Sequence, residues 1–117
     1  VLLCETQFKA DWELPGGKVK KTESVLEAAG REVQEETGLS VEPQRLIGVF
    51  FIRGENVYDF VFACRLVRPE QPPRAAPPEI VECGFYAAGA LPEGTTRGTR
   101  LRIAEVLDDV APVATWR

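Results

Sequence analysis

Histidine and methionine are both absent from the 117 residues. Without histidine there is no Ser-His-Asp or Cys-His triad and no His-based zinc motif, so any catalysis must rest on carboxylates, lysines, arginines or tyrosines. Cysteine is scarce: Cys4, Cys64 and Cys83 are an odd number without C-x-x-C spacing, which argues against a disulfide framework and a thiolate zinc site. Cys4 and Cys64 lie in apolar runs and are expected as buried thiols in a reducing compartment. No apolar run approaches bilayer length, and Val1-Leu2-Leu3 has neither a basic flank nor a cleavage site; a cytoplasmic chain with no membrane partner is expected. The missing methionine implies either a removed initiator or a start inside a longer chain.

The length suits one domain spanning residues 1–117, with one core. A formal charge of −4 disfavours a nucleic-acid duplex as partner, so an anionic ligand must be met by local cations or bound metal.

Residues 1–5 read as a strand, and Trp12-Glu13-Leu14 leads into the breaker Pro15-Gly16-Gly17. Ser24 and Glu27 have capping-box spacing, which predicts a helix from Ser24 to about Thr37, and Gly38 supplies a left-handed stop onto which Leu39 folds back. Residues 44–53 and 56–68 are rich in Val, Ile, Phe and Tyr and read as an antiparallel hairpin turning at Gly54-Glu55. The proline-rich residues 69–78 read as an exposed loop. Residues 79–87 read as a further strand. Residues 97–110 read as a closing amphipathic helix, with apolar positions at Leu101, Ala104, Val106 and Leu107.

The first helix carries the most information. At about 100° per residue, Val25, Leu26, Ala29 and Val33 form its apolar stripe. Glu36 falls inside that arc, Glu32 at its edge and Glu35 just beyond. A solvated face would point these carboxylates away from the core. Glu32 and Glu36 are also a like-charge i,i+4 pair, which adds to the cost of partial burial. Arg31 can pair with Glu27 and Glu35, but one guanidinium cannot neutralise the whole set. An all-oxygen ligand set suits Mg²⁺, with Mn²⁺ also compatible, held in part by substrate phosphate.

Gly17, five residues, Glu23, seven residues, Arg31-Glu32-Val33, one residue, Glu35-Glu36, one residue and Gly38-Leu39 together resemble the Nudix box at every position. A chance match in a chain this long is on the order of 10⁻⁸ to 10⁻⁷ from average composition. Trp12-x-Leu14-Pro15-Gly16-Gly17 is similar to the lead-in of that family. The resemblance implies an α/β/α sandwich with a mixed sheet and a loop-helix-loop catalytic motif, with a further strand before residue 1, so the sheet is expected to be incomplete. It implies hydrolysis of a pyrophosphate bond in a nucleoside diphosphate linked to another group, such as a nucleoside triphosphate or an NDP-sugar. Glu35, Glu36 and the Gly16 carbonyl then resemble the metal ligands, Glu32 a ligand or general base oriented by Arg31, and Glu23 a tie between loop and helix. In many relatives the base lies outside the box, and here Glu79 and Glu82 are the candidates.

The loop after Gly17 departs from the usual family pattern in being Lys18-Val19-Lys20-Lys21-Thr22. Lys18 and Lys20 are candidate phosphate contacts against a background of solvated lysines. Downstream, the family's ADP-ribose proline is replaced in the region of Arg53 and Gly54, and Tyr58 stands near the tyrosine of the dinucleoside polyphosphate type. Arg53 and Tyr58 are therefore candidate substrate contacts, while Phe51, Tyr58 and Phe60 equally suit hairpin packing. The competing readings are a Nudix-like module that binds a nucleotide without cleaving it, which the intact glutamate set opposes, and an acidic helix for a protein partner, which would need no metal. A monomer and a homodimer both remain open.

Overall fold

The structure, a computed structural model, describes residues 1–7 and 11–107 and, as backbone, the short strand Thr115–Trp116. The element order is β1 (Leu2–Thr6), β2 (Trp12–Glu13), α1 (Val25–Thr37), β3 (Val41–Ile52), β4 (Val57–Leu66), β5 (Ile80–Phe85), α2 (Arg97–Leu107) and β6 (Thr115–Trp116). Among the described residues these strands form two three-stranded sheets, one ordered β2-β1-β5 and the other β4-β3-β6. The first is antiparallel throughout, and the second is mixed because β6 runs parallel to β3. The expected closing helix is present to Leu107; its last three positions, 108–110, lie outside the described residues.

Alternation along β1 gives the first sheet two faces. Leu3 shares one with Trp12, and Ile103 of α2 packs there, joined by Leu14, Tyr86 and Leu91. Trp12 and Tyr86 meet edge to face, with ring centroids 5.3 Å apart. Cys4 shares the other face with its cross-strand neighbours Glu13 and Cys83, on the side where Glu36 of α1 acts on it. A helix on each side of the strands is the expected α/β/α arrangement.

Four local expectations need correction. The hairpin turn spans residues 53–56, with Gly54 and Asn56 both left-handed and the Asn56 amide donating to the Ile52 carbonyl at 3.1 Å. β3 starts at Val41, ahead of the expected Gln44, because a register shift between Pro43 and Arg45 lets it carry Pro43 opposite Cys64. Leu26 is half exposed, and the buried line of α1 is Ala28, Val33 and Thr37; the stripe is rotated because Thr37 can enter the core by donating its hydroxyl to the Val33 carbonyl at 2.7 Å. Cys64 is exposed on β4, which among the described residues pairs with β3 alone.

The face of α2 is the largest departure. Val106 and Leu107 are exposed, whereas Thr99, Arg102, Ile103 and Glu105 are buried. The Arg102 guanidinium lies 3.8 Å from the centroid of the Phe50 ring and 3.4 Å from Glu105. A charged pair and a cation–π contact thus occupy the seam where aliphatic packing was expected. Phe50 reaches that seam because its ring folds over Gly48; a Cβ at Gly48 would lie 2.6 Å from the ring.

Candidate active site

One helix, the loop before it and the loop after it assemble the site. α1 begins at Ser24, whose hydroxyl accepts from the Glu27 amide at 3.1 Å while the Glu27 carboxylate accepts from the Ser24 amide at 3.0 Å. The expected capping box is complete, and it claims Glu27, so the anticipated Arg31–Glu27 pair does not form. The far end stops as expected, with Gly38 at φ 74° and its amide bonded to the Gln34 carbonyl. Between these caps the helical period fixes where Arg31, Glu32, Glu35 and Glu36 emerge.

Arg31 is the organising cation. Its Nε and Nη2 grip the Glu23 carboxylate at 2.6–3.2 Å, Nη1 reaches Glu32 at 2.8 Å and Glu35 at 3.1 Å, and Nη2 also donates to the Lys18 carbonyl at 2.9 Å. These bonds, with one from the Lys20 amide, hold the Glu23 carboxyl at about 2. Glu23 thereby bonds both the loop and the helix, the place the family resemblance implied for it. Glu32 is 16% exposed, against 53% for Glu35, which matches their order around the helix.

Glu36 has a different environment. Its Oε1 accepts from the Gly16 amide at 2.8 Å, and among the described residues it has no ion-pair partner. Burial pushes its pKa up to about 7; the Gly16 amide opposes that shift, and the charges of Glu32, Glu79 and Glu13 reinforce it. Gly17 is needed for a close approach: a Cβ there would fall 2.5–2.7 Å from the Glu32 carboxyl atoms. Beside Gly16 the space is open, since a Cβ there would meet nothing within 4 Å. Among the described residues no three acidic or thiol side chains form a ready-made cage. In kind, however, the donors fit a hard divalent cation: they are all oxygen, and at Glu36 negative charge accumulates without compensation.

Glu79 is brought here by the proline-rich loop, which is not simply an exposed connection. Its Arg74 and Ala76 amides donate to the Thr37 and Glu36 carbonyls at 2.7 and 3.1 Å, and the Gln71 side chain donates to the Gly38 carbonyl at 3.2 Å. The loop therefore satisfies the end of α1, and β5 starts beside it. Of the two candidate bases, Glu79 is the one whose charge acts on Glu36. Glu82 pairs in register with Glu5, on the face opposite Cys4 and Cys83.

The weaker candidates are not gathered with the carboxylates. Lys18 and Lys20 are exposed on the loop and meet the site through their main chains. Arg53 is exposed in the hairpin turn, and Tyr58, 69% exposed, leans on Phe51 with centroids 5.3 Å apart. Neither makes a hydrogen bond or ion pair to the box among the described residues. Glu13 is the acidic neighbour that sequence reasoning passed over. Its signal was the two-residue alternation of Trp12-Glu13, which turns Glu13 towards Glu36 once Trp12 enters the core.

A family model of the NUDIX domain matches residues 1–107. The chain belongs to the Nudix family. A human protein, the 8-oxo-dGDP phosphatase NUDT18, is 34% identical over 118 residues, covering 97% of this chain and 33% of its own length. The chain thus spans about a third of that relative. Among solved structures, a Nudix hydrolase from Nitrosomonas europaea superposes with a TM-score of 0.79 at 21% identity, over 92% of this chain and 62% of that one, and shows the shared Nudix fold. An ADP-ribose pyrophosphatase from Streptococcus suis superposes with a TM-score of 0.69 at 28% identity, over 91% of this chain and 81% of its own.

Proposed function

We propose that this Nudix chain hydrolyses a pyrophosphate bond in a small nucleoside diphosphate derivative, with Mg²⁺ or Mn²⁺ held by the Gly16 carbonyl, Glu32, Glu35 and Glu36. The observation that carries the reading is Glu36: a half-buried carboxylate that accepts a hydrogen bond from the Gly16 amide and faces other carboxylates with no ion-pair partner among the described residues. When bound, the divalent ion would polarise phosphate oxygens and lower the pKa of a coordinated water. The residues of the chain do the rest. Arg31 keeps Glu32 and Glu35 in place and leaves Glu36 free for ligation. Gly16 presents its amide to Glu36 and open space beside its own Cα. Glu79, whose charge is felt at Glu36, is the proposed acceptor of the proton from the attacking water, with Glu32 as the alternative within the box.

The human relative acts on 8-oxo-dGDP by name and the Streptococcus suis neighbour on ADP-ribose, so both belong in the substrate panel beside nucleoside triphosphates, NDP-sugars and dinucleoside polyphosphates. Purified chain with Mg²⁺ should release phosphate or a nucleoside monophosphate from at least one of them, and Glu36→Gln should not. Turnover by the variant at the parental rate would sink the hydrolase reading. Metal-dependent retention of a ligand without cleavage would favour the non-catalytic binding module.

A further inference from the structure

Directly beneath the carboxylate site, the first sheet holds two of the three cysteines in register. Cys4 on β1 is the cross-strand partner of Cys83 on β5, so both thiols leave the same face. The hydrogen-bond phase is fixed at the strand end. Val1 and Tyr86 exchange both main-chain bonds, Tyr86 amide to Val1 carbonyl at 2.8 Å and Val1 nitrogen to Tyr86 carbonyl at 2.7 Å. Wide and narrow pairs alternate from there, and the register is unbroken as far as Glu5. Val1–Tyr86 and Leu3–Gly84 are therefore bonded pairs, and Leu2–Phe85 and Cys4–Cys83 are non-bonded pairs. Non-bonded partners stand closer, with Cα atoms about 4.5 Å apart, inside the roughly 4.4–6.8 Å range that a disulfide spans.

We infer that Cys4 and Cys83 form a thiol pair that closes to a disulfide without moving the backbone, a covalent modification site under the helix that carries Glu36. The two thiols differ in access: Cys4 is buried and Cys83 only partly so. Burial raises the pKa of both, which keeps them reduced and slow unless an oxidant is supplied. Cys83 is the entry point. Its thiolate attacks a small-molecule disulfide and forms a mixed disulfide, releasing one thiol. Cys4 then loses its proton to solvent and attacks the Cys83 sulfur, releasing the second thiol. In sum, one protein dithiol and one small disulfide become one protein disulfide and two small thiols. The bond would tie β5, which starts beside Glu79, to β1, where Cys4 senses the charge of Glu36. The thiol pair does not depend on what the carboxylates cleave.

The test uses the folded chain with Cys64→Ser, removing the exposed thiol, incubated with oxidised glutathione at pH 8. Intact mass should fall by two hydrogens, a peptide map should link Cys4 to Cys83, and dithiothreitol should reverse both. Thermal unfolding of the oxidised form should move up by several degrees, because the bond closes a long loop. On the same background, Cys4→Ser should stop at the glutathione adduct on Cys83, and Cys83→Ser should not react while folded; far-UV circular dichroism establishes that each variant is folded. The inference is overturned if the Cys4–Cys83 chain accumulates an adduct that never closes, stays reduced, or forms the bond only after unfolding in urea.

Discussion

Arg31 bonds to three carboxylates, and Glu36 receives none of that charge. In metal-free protein, Glu36 should therefore be a net liability at alkaline pH. Its pKa is raised from the ordinary 4.5 to about 7, so the folded chain binds more protons than the unfolded one between those values. Stability from this group is fully present below pH 4.5 and is lost as pH rises through 7. Glu36→Gln should accordingly stabilise metal-free protein at pH 8 by about 1 kcal/mol after solvent screening, read by urea denaturation in EDTA. The same variant should lower metal-dependent turnover by on the order of 10²–10³-fold. Wild-type activity should fall towards acidic pH as protons displace the cation, with a midpoint that moves down as Mg²⁺ is raised. Gly17→Ala makes a separate demand on geometry. Its methyl would enter the space of the Glu32 carboxylate, so kcat/KM should drop on the order of 10²-fold, with circular dichroism unchanged.

Elements were legible where their causes are local. Ser24, Glu27 and Gly38 fixed both ends of α1 because caps are made by residues within a turn of each other. Ser24→Ala should cost about 1 kcal/mol of stability, measurable as a lower urea midpoint with an unchanged slope. The nine box positions were legible for the same reason: they lie on one loop and one helix. The buried face of α2 was not. Arg102 is buried where Phe50 and Glu105 receive it, and Phe50 comes from β3, with three connections between it and α2. The fastening of residues 71–76 to the end of α1 was hidden for a related reason. Main-chain amides make two of its three bonds, and an amide leaves no mark in residue type.

At the scale of the molecule, a polar seam joins the second sheet to α2. Arg102 is 1% exposed and the Glu105 side chain 6%, and the charge of Arg102 also acts on Asp59, so removing one charge leaves the other buried with one partner fewer. Arg102→Leu should cost about 3–5 kcal/mol, and the double variant with Glu105→Leu should recover part of that loss, because Asp59 still loses the cation that acts on it. A double-mutant cycle by chemical denaturation measures the difference; additive costs would mean that the two side chains do not share the seam.

The bonds from Arg74 and Ala76 to the last turn of α1 also bear on the order in which the chain is made. The whole Nudix box leaves the ribosome before the proline-rich loop does, so the carbonyls of Glu36 and Thr37 wait for amides from residues nearly forty positions later. Until then the helix that carries Arg31 and Glu36 ends in water, and Glu79 has not yet been synthesised. A nascent chain halted after β4 would carry every letter of the motif and still lack a finished helix end, so competence arrives with the proline-rich loop and not with the box.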